Sequence, residues 1–530
     1  MSSTVTDPDP EAAPRKRFSR AWLLRFLVAV ASGFTLYLSF APRPLWWLAP
    51  LAFTGFALVV HGRRFRGAFG YAFVFGMGFF LPLLTWLLDF LGPDFGPWPW
   101  LALSMALSVY LGFGGAFATV VWRLPLGPLW AALVIIALET PRTWFPFGGF
   151  PWGRVAFSQP EGAFVSLASV GGAPLVGLAV VLTGFGLAAL CLRVRGADPR
   201  RSLVAMSALT LVPVVAGLAV WPAIGTEAQD GELTVATVQG NAPDIGLALE
   251  GRRDELRNNH LAESGRLLEK LKAGNTKVDL LIWPETAMAM RTGDPGVDQM
   301  VRDYGTQAII GALVRLPDGS AQNSALVWDP VAGPGQRYAK QQLVPFGEYV
   351  PAREVAKLVT PFVDSVANMT PGNGANAALS VAGTKVGVFI CYETAFDYPA
   401  RESVADGAEL LVVPTNNAWY GPGEMSYQQL AMSRLRAVEH GRAVIVSATS
   451  GVSAIVAPDG SITASTGLFT ADSLVGRVPL RQQTTLSDLL GVTTEYGLLA
   501  LAIAGVTGGY VLRFRTRRAS AAKATREAAG

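Results

Sequence analysis

Two regimes of hydrophobic patterning divide this chain of 530 residues. In the first, apolar residues run in long stretches broken only by short polar or basic clusters. Stretches of that kind match the roughly 20 residues a helix needs to cross a bilayer. They predict membrane helices at Ala21–Phe40, Leu45–Val60, Ala68–Phe90, Trp98–Trp122, Leu129–Thr143, Phe164–Leu192 and Leu203–Trp221, the fifth being short. An eighth is predicted at Leu498–Phe514. Between the seventh and the eighth the apolar runs shrink to strand length and alternate with segments of helical period. Leu233–Val238, Val278–Trp283, Ala308–Leu313, Ala325–Trp328, Val386–Ile390, Leu410–Pro414 and Ala443–Ala448 predict strands; Arg252–Leu271 and Tyr427–His440 predict helices. That order points to a layered α/β domain with hydrophobic core strands. No internal repeat is visible.

The pattern divides the chain into a disordered cytoplasmic N-terminus at 1–20, a seven-helix membrane domain at 21–225, an extracytoplasmic domain at 226–495, a last transmembrane helix at 496–515 and a basic cytoplasmic tail at 516–530. Arg15-Lys16-Arg17 followed by an apolar run imitates a secretory signal. Cleavage is not expected, because further hydrophobic segments follow and no small-residue site precedes a soluble body.

Composition agrees with the pattern. Hydrophobic residues make up 51% of the chain and charged residues 15%, against about 25% charged in a soluble domain. The net charge of +4 sits in short clusters that resemble cytoplasmic flanks of membrane helices rather than a nucleic-acid surface. The clusters are Arg15-Lys16-Arg17, Arg63-Arg64-Phe65-Arg66, Arg123, Arg193 to Arg201, and Arg513 to Arg518. With eight crossings all of them fall on one side, which places both termini in the cytoplasm and the α/β domain outside it. The opposite loops carry only isolated arginines (Arg43, Arg142 and Arg154) and are rich in Trp, Pro and Gly. Three histidines and two cysteines provide no zinc-type cluster. No metal and no cofactor is expected.

Three segments of the α/β domain each put a reactive group at or near a strand end. Leu280-Leu281-Ile282-Trp283-Pro284-Glu285 ends in a carboxylate. Tyr338-Ala339-Lys340 places an ammonium ahead of Leu343-Val344-Pro345-Phe346-Gly347-Glu348, and Phe389-Ile390-Cys391 presents a thiol followed by Tyr392 and Glu393. The other cysteine, Cys191, falls at the opposite membrane face, so no intrachain disulfide claims Cys391. A thiol needs a base to become a nucleophile, and a buried carboxylate serves. A lysine beside the reacting carbonyl holds the developing oxyanion. Each residue also has an ordinary reading: a small buried hydrophobe for Cys391, a helix cap for Glu285, a solvated charge for Lys340, ion pairs for Glu348 and Glu393. A Cys-His pair would have to use His260 or His440. The first lies in a polar helical run; the second precedes Gly441, as in a helix's last turn. Both read as structural or solvated.

Trp283-Pro284-Glu285, Lys340 to Glu348 and Cys391-Tyr392-Glu393 together resemble the Glu-Lys-Cys signature of the nitrilase superfamily. Val238-Gln239-Gly240-Asn241, Asn323-Ser324, Asn416-Asn417-Ala418-Trp419-Tyr420-Gly421, Gly149-Phe150-Pro151-Trp152 and Ser158-Gln159, with the membrane helices, narrow the resemblance to the apolipoprotein N-acyltransferase family, over nearly the whole chain. The resemblance implies an α-helical polytopic membrane domain of eight transmembrane helices joined to a nitrilase-like α-β-β-α sandwich. It implies catalysis by Glu285 as base, Lys340 as oxyanion stabiliser and Cys391 as nucleophile, supported by Glu348, Tyr392 and Glu393, with Trp419 and Asn323 binding substrate. The implied partners are a phospholipid acyl donor and a diacylglyceryl-modified apolipoprotein acceptor, at a bacterial inner membrane with the catalytic domain on the periplasmic side. One departure is visible: Ala242–Leu249 lacks the tryptophan that family members often carry there.

Extracting such lipids into a soluble pocket would expose many methylenes at about 0.8 kcal/mol each. A site at the membrane surface avoids that. Trp144–Trp152 and the apolar arm Val355–Val363 are the expected entrance, or else an interfacial belt and an ordinary surface helix. The alternative function is a membrane-tethered amidase acting on small C–N substrates with water as second nucleophile. A transporter or scaffold would call for charges inside the helices, and these carry very few, with Asp89 and Glu139 near predicted ends.

Overall fold

The computed structural model describes residues 20–92, 96–193, 200–358, 363 and 368–529. The expected N-terminal tail with its basic cluster, most of the basic stretch Arg193 to Arg201 and part of the arm Val355–Val363 lie outside the described residues.

The first half is helical: α1 (Arg20–Leu38), α2 (Leu48–Val60), α3 (Phe65–Leu83), α4 (Trp86–Leu91), α5 (Trp98–Val121), α6 (Gly127–Ala137), α7 (Glu139–Arg142), α8 (Ala168–Arg193) and α9 (Arg200–Val220). Six helices among the described residues are long and apolar enough to cross a membrane: Arg20–Leu38, Phe65–Leu83, Trp98–Val121, Val165–Leu192, Leu203–Ala223 and Thr493–Ala528. The expected spans Leu45–Val60 and Leu129–Thr143 form α2, of 13 residues, and α6, of 11. At 1.5 Å per residue each reaches less than about 20 Å.

Two expected helices are reshaped. Ala68–Phe90 breaks after Leu83, next to Pro82, which has no N–H to continue the ladder. The detached turn α4 carries Trp86 and Phe90 against Tyr420 of the α/β domain, with centroids 5.0 and 5.2 Å away. The last helix, expected at Leu498–Phe514, runs from Thr493 to Ala529, so residues 516–529 continue it as a helical extension, exposed over 516–528.

The second half contains β1 (Glu232–Gln239), α10 (Arg253–Ala273), β2 (Leu280–Ile282), β3 (Met288–Met290), α11 (Pro295–Tyr304), β4 (Gln307–Arg315), β5 (Ala321–Asp329) and β6 (Gly333–Ala339). It continues with α12 (Arg353–Ala356), β7 (Ala378–Val381), β8 (Thr384–Val388), α13 (Tyr398–Ala405), β9 (Leu410–Thr415), α14 (Met425–His440), β10 (Val444–Ala448), β11 (Ala454–Val456), β12 (Ile462–Ser465), β13 (Asp472–Pro479), α15 (Leu486–Leu490) and α16 (Thr493–Ala529). One sheet has the order β13-β1-β2-β4-β5-β6, with β3 on β4; the other has the order β12-β11-β10-β9-β8-β7.

Period-2 alternation explains the layers. Leu280 and Ile282 of β2 meet Val386 and Val388 of β8 and Val412 of β9 between the sheets. Leu281 and Trp283 face the other way, onto Leu267 and Leu271 of α10 and Val297 and Val301 of α11. In the second sheet Leu411, Val413 and Val444 face Ala400 and Val404 of α13 and Leu430 and Ala437 of α14. The result is an α-β-β-α sandwich. α14 is buried on nearly every side, because its other face joins the apolar cluster of the membrane helices through Met425, Met432, Leu435 and Val438. Tyr392, Ala395 and Phe396 belong to that same cluster, so the packing is continuous across the two halves.

Candidate active site

Glu285 is placed by the end of β2. The Trp283 amide donates to the Ile309 carbonyl at 2.8 Å and the Ala287 amide to that of Gly311 at 3.0 Å, tying the turn to β4. Gly311 permits this approach, since a Cβ there would fall 2.0 Å from the Pro284 carbonyl oxygen. The carboxylate is buried and caps no helix. Its Oε1 accepts from Asn323 Nδ2 at 2.6 Å and Lys340 Nζ at 3.0 Å, and its Oε2 accepts from the Asn416 amide at 2.7 Å.

Lys340 directly follows β6, and its amide continues the pairing with β5 by donating to the Asn323 carbonyl at 2.8 Å. It is no solvated charge: the side chain is 1% exposed, and Nζ lies 3.0 Å from both Glu285 and Glu348. Burial opposes its charge, but those two carboxylates outweigh it and hold the ammonium well above the ordinary lysine range. Glu348 Oε1 also accepts from Asn323 Nδ2 at 2.8 Å, and its Oε2 from the Val344 amide at 2.8 Å. Asn323 thus spends its amide hydrogens on the two carboxylates, while its Oδ1 has no protein partner among the described residues.

Cys391 follows β8 as the first residue of a short 3₁₀ turn, Cys391–Ala395. Its φ of 53° lies in the left-handed region, where a residue with a Cβ is strained. The thiol is buried, and burial together with the Glu285 charge pushes it up to about 12, against the pull of Lys340 and a hydrogen bond with Thr415. The resting group is therefore the neutral thiol, and a base has to remove its proton as it reacts. Glu285 and Glu348 are both within electrostatic reach of the thiol; Glu285 acts on it more strongly and is anchored through Asn416, the residue next to Thr415.

The residues after Cys391 hold the turn. Among the described residues no arginine or lysine forms an ion pair with Glu393. Its carboxylate accepts from the amides of Ile390 at 2.6 Å, Gln341 at 2.7 Å and Gln342 at 3.0 Å, and from the Tyr338 hydroxyl at 2.9 Å. It locks the end of β8 to the lysine loop, and burial raises it to about 7 despite those amides. The Tyr392 hydroxyl donates to the Gly149 carbonyl at 2.9 Å, and its ring lies 6.0 Å from Phe150. The sequence neighbour of the thiol is thus bonded to a loop of the helical first half.

Trp419 is part-buried against Phe90, with centroids 6.2 Å apart. Trp152 differs from the expected entrance: it is buried, and its Nε1 donates to Gln428 Oε1 of α14 at 2.7 Å. The exposed aromatics of that loop are Trp144, Phe145 and Phe147. His260 is buried, with Nδ1 2.8 Å from the Leu256 carbonyl oxygen and its ring against Trp283. His440 ends α14 before left-handed Gly441 and pairs with Asp488 at 2.6 Å. Sequence reasoning left out Thr415, Asn416 and Tyr420 as site residues. Tyr420 is buried within electrostatic reach of Cys391, Lys340, Glu285 and Glu348. Asn416 and Tyr420 stood within the Asn416 to Gly421 motif, and Thr415 directly after the buried run Leu410–Pro414.

Residues 32–186 match the family described as Apolipoprotein N-acyltransferase N-terminal domain, and residues 234–486 match the Carbon-nitrogen hydrolase family. An apolipoprotein N-acyltransferase of Mycolicibacterium smegmatis is 37% identical over 91% of this chain and 84% of its own length. Apolipoprotein N-acyltransferases of Pseudomonas syringae and Azotobacter vinelandii are each 31% identical, covering 86% and 93% of this chain and 92% and 96% of their own. With helices suited to cross a membrane leading into a sandwich that gathers a carboxylate, an ammonium and a thiol at its strand ends, the chain belongs to the apolipoprotein N-acyltransferase family.

Proposed function

We propose that the protein transfers an acyl chain from a phospholipid to the N-terminal amine of a diacylglyceryl-cysteine on an apolipoprotein, through a thioester at Cys391. The observation that carries the reading is the meeting of Glu285, Lys340 and the Cys391 turn in one buried cluster whose next residue, Tyr392, is bonded to the membrane domain. Glu285 takes the thiol proton as Sγ attacks the ester carbonyl carbon. Lys340 faces the oxygen on which charge develops. The C–O bond to glycerol breaks, the proton passes from Glu285 to the leaving oxygen, and a lysophospholipid departs. The acceptor amine then attacks the thioester. Glu285 removes a proton from that nitrogen, the C–S bond breaks, and the proton returns to sulfur. Glu348 and Asn323 hold Lys340 and Glu285 in register, and Glu393 holds the turn. Trp419 is assigned to the substrate-facing wall.

In this reading α2 and α6 complete eight membrane passages, which puts Arg63, Arg64, Arg66, Arg123 and the arginines from Arg513 to Arg518 on the cytoplasmic side and residues 226–495 on the periplasmic side of the inner membrane. The exposed rim formed by Phe147 against Phe346 (5.7 Å between centroids), with Phe145 beside it, faces the lipid from which the donor arrives. The test is intact mass of wild type and Cys391→Ala after incubation with phospholipid vesicles, followed by addition of a diacylglyceryl-peptide. Wild type gains one acyl chain and passes it to the peptide amine. An adduct on the variant, or release of free fatty acid with no N-acylated peptide, overturns the assignment.

A further inference from the structure

A second buried cluster lies behind the nucleophile turn, and it crosses between the two halves of the chain. Its ion-paired members alternate in sign, Arg142, Glu139, Arg154, Asp397, Arg436 and Glu439, and Glu495 of α16 lies within electrostatic reach of Arg154 and Asp397. Glu139 Oε2 is 3.4 Å from Arg154 Nε and its Oε1 accepts from the Val155 amide at 2.9 Å. Arg154 Nη1 donates to Asp397 Oδ2 at 2.7 Å, and Arg436 Nη1 lies 2.7 Å from Asp397 Oδ1 and also against Glu439. The side chains of Arg154, Asp397 and Arg436 are 1%, 8% and 0% exposed. Gly172, at the kink in α8, packs onto the Glu439 carboxylate and helps seal the far end. Arg436 completes the link to the chemistry. Its Nε donates to the Thr394 carbonyl at 3.1 Å and its Nη2 to that of Ala395 at 3.3 Å, the last residues of the turn that begins at Cys391.

We propose that Arg154 is a positioning residue: the membrane domain, through this arginine, completes the ionic chain that fixes the Cys391 turn against Glu285 and Lys340. Asp397 needs both guanidinium groups, because one carboxylate oxygen is engaged by each. Without Arg154, Asp397 and Glu139 become buried acids short of a cation, and Arg436 is drawn off the turn it holds. The inference rests on Cys391 being the nucleophile. It does not extend to every bridge between the halves. Arg43 and Glu424 also pair across them, at 23% and 29% exposure and away from the turn, and that bridge is a control.

The experiment uses the full-length protein in phospholipid vesicles, with three readouts: the single-turnover rate of acyl-enzyme formation, the rate of Cys391 alkylation by iodoacetamide, and thermal unfolding. Arg154→Gln is expected to slow acyl-enzyme formation on the order of 10²-fold, the scale of a misplaced reacting group, with KM for phospholipid unchanged. Alkylation is expected to speed up, as the loosened turn lets the thiol leave its buried site. Arg154→Lys keeps the charge but not the two-sided reach, and is expected to fall between wild type and Arg154→Gln. Arg43→Gln is expected to match wild type in both rates. A folded Arg154→Gln with wild-type rates overturns the proposal, as does Arg43→Gln slowing acylation equally. Should Arg154→Gln fail to fold, wild-type rates in Arg154→Lys overturn it. Should wild type take up no acyl chain, the acyl-transfer reading falls, and the alkylation rates still decide this one.

Discussion

The Glu285–Lys340–Glu348 cluster and the Glu139–Arg154–Asp397–Arg436 chain are made of the same materials, carboxylates and cations withdrawn from water. In the second, signs alternate and each acid lies beside a cation. In the first, one ammonium serves two carboxylates, with a thiol next to them. Burial, together with the negative charge a thiolate would add to a cluster already short of positive charge, holds the thiol up at about 12. In the proposed reading the first does the chemistry, and the second holds the geometry in which it is done.

The largest effect separating the two is expected from Cys391→Ala. Acyl transfer should fall by roughly 10⁴-fold or more, as when a nucleophile is removed, with no acyl adduct by intact mass. Glu285→Gln should slow acyl-enzyme formation by about 10²–10⁴-fold. Its residual rate should climb with pH until the thiol ionises by itself, and a flat profile in stopped-flow acylation would contradict the assignment of Glu285 as base.

Lys340→Met makes the imbalance extreme. Two facing carboxylates then lack their cation, and stability should drop by about 3–5 kcal/mol in denaturant titration. Glu393→Gln is expected to cost about 1–3 kcal/mol through its amide partners. Glu393 sits at about 7 when folded, above its ordinary 4.5. Its contribution is therefore full in acid and declines as pH rises from about 4.5 through about 7. The wild-type advantage over the glutamine variant in melting temperature should shrink across that window. Arg43→Gln, at a half-exposed pair, should change stability by less than about 1 kcal/mol.

Much was legible in the chain itself. Unbroken apolar stretches marked the long helices, because lipid demands continuous hydrophobicity and internal hydrogen bonding. Buried parallel strands showed as runs such as Leu410–Pro414 and Val386–Ile390, because both faces are covered. Edge elements did not show. β6 contains Gly333, Pro334 and Gly335, and antiparallel pairing with β5 makes it a strand; β13 is ordered by β1, from far away in the sequence. The reactive trio was visible from its strand-end positions. Asn416 was visible only as part of a motif, because it acts on Glu285 through its backbone amide, which carries no side-chain signature.

By itself, then, the sequence determined where apolar runs end and which reactive side chains stand at those ends, since both follow from local pattern and residue chemistry. Tertiary structure decided which charges share a cavity. Arg154 looked like an isolated loop arginine until Asp397 and Glu139 closed around it. Charge pairing in a buried site depends on distances between segments far apart in the chain, and only the folded packing sets those distances.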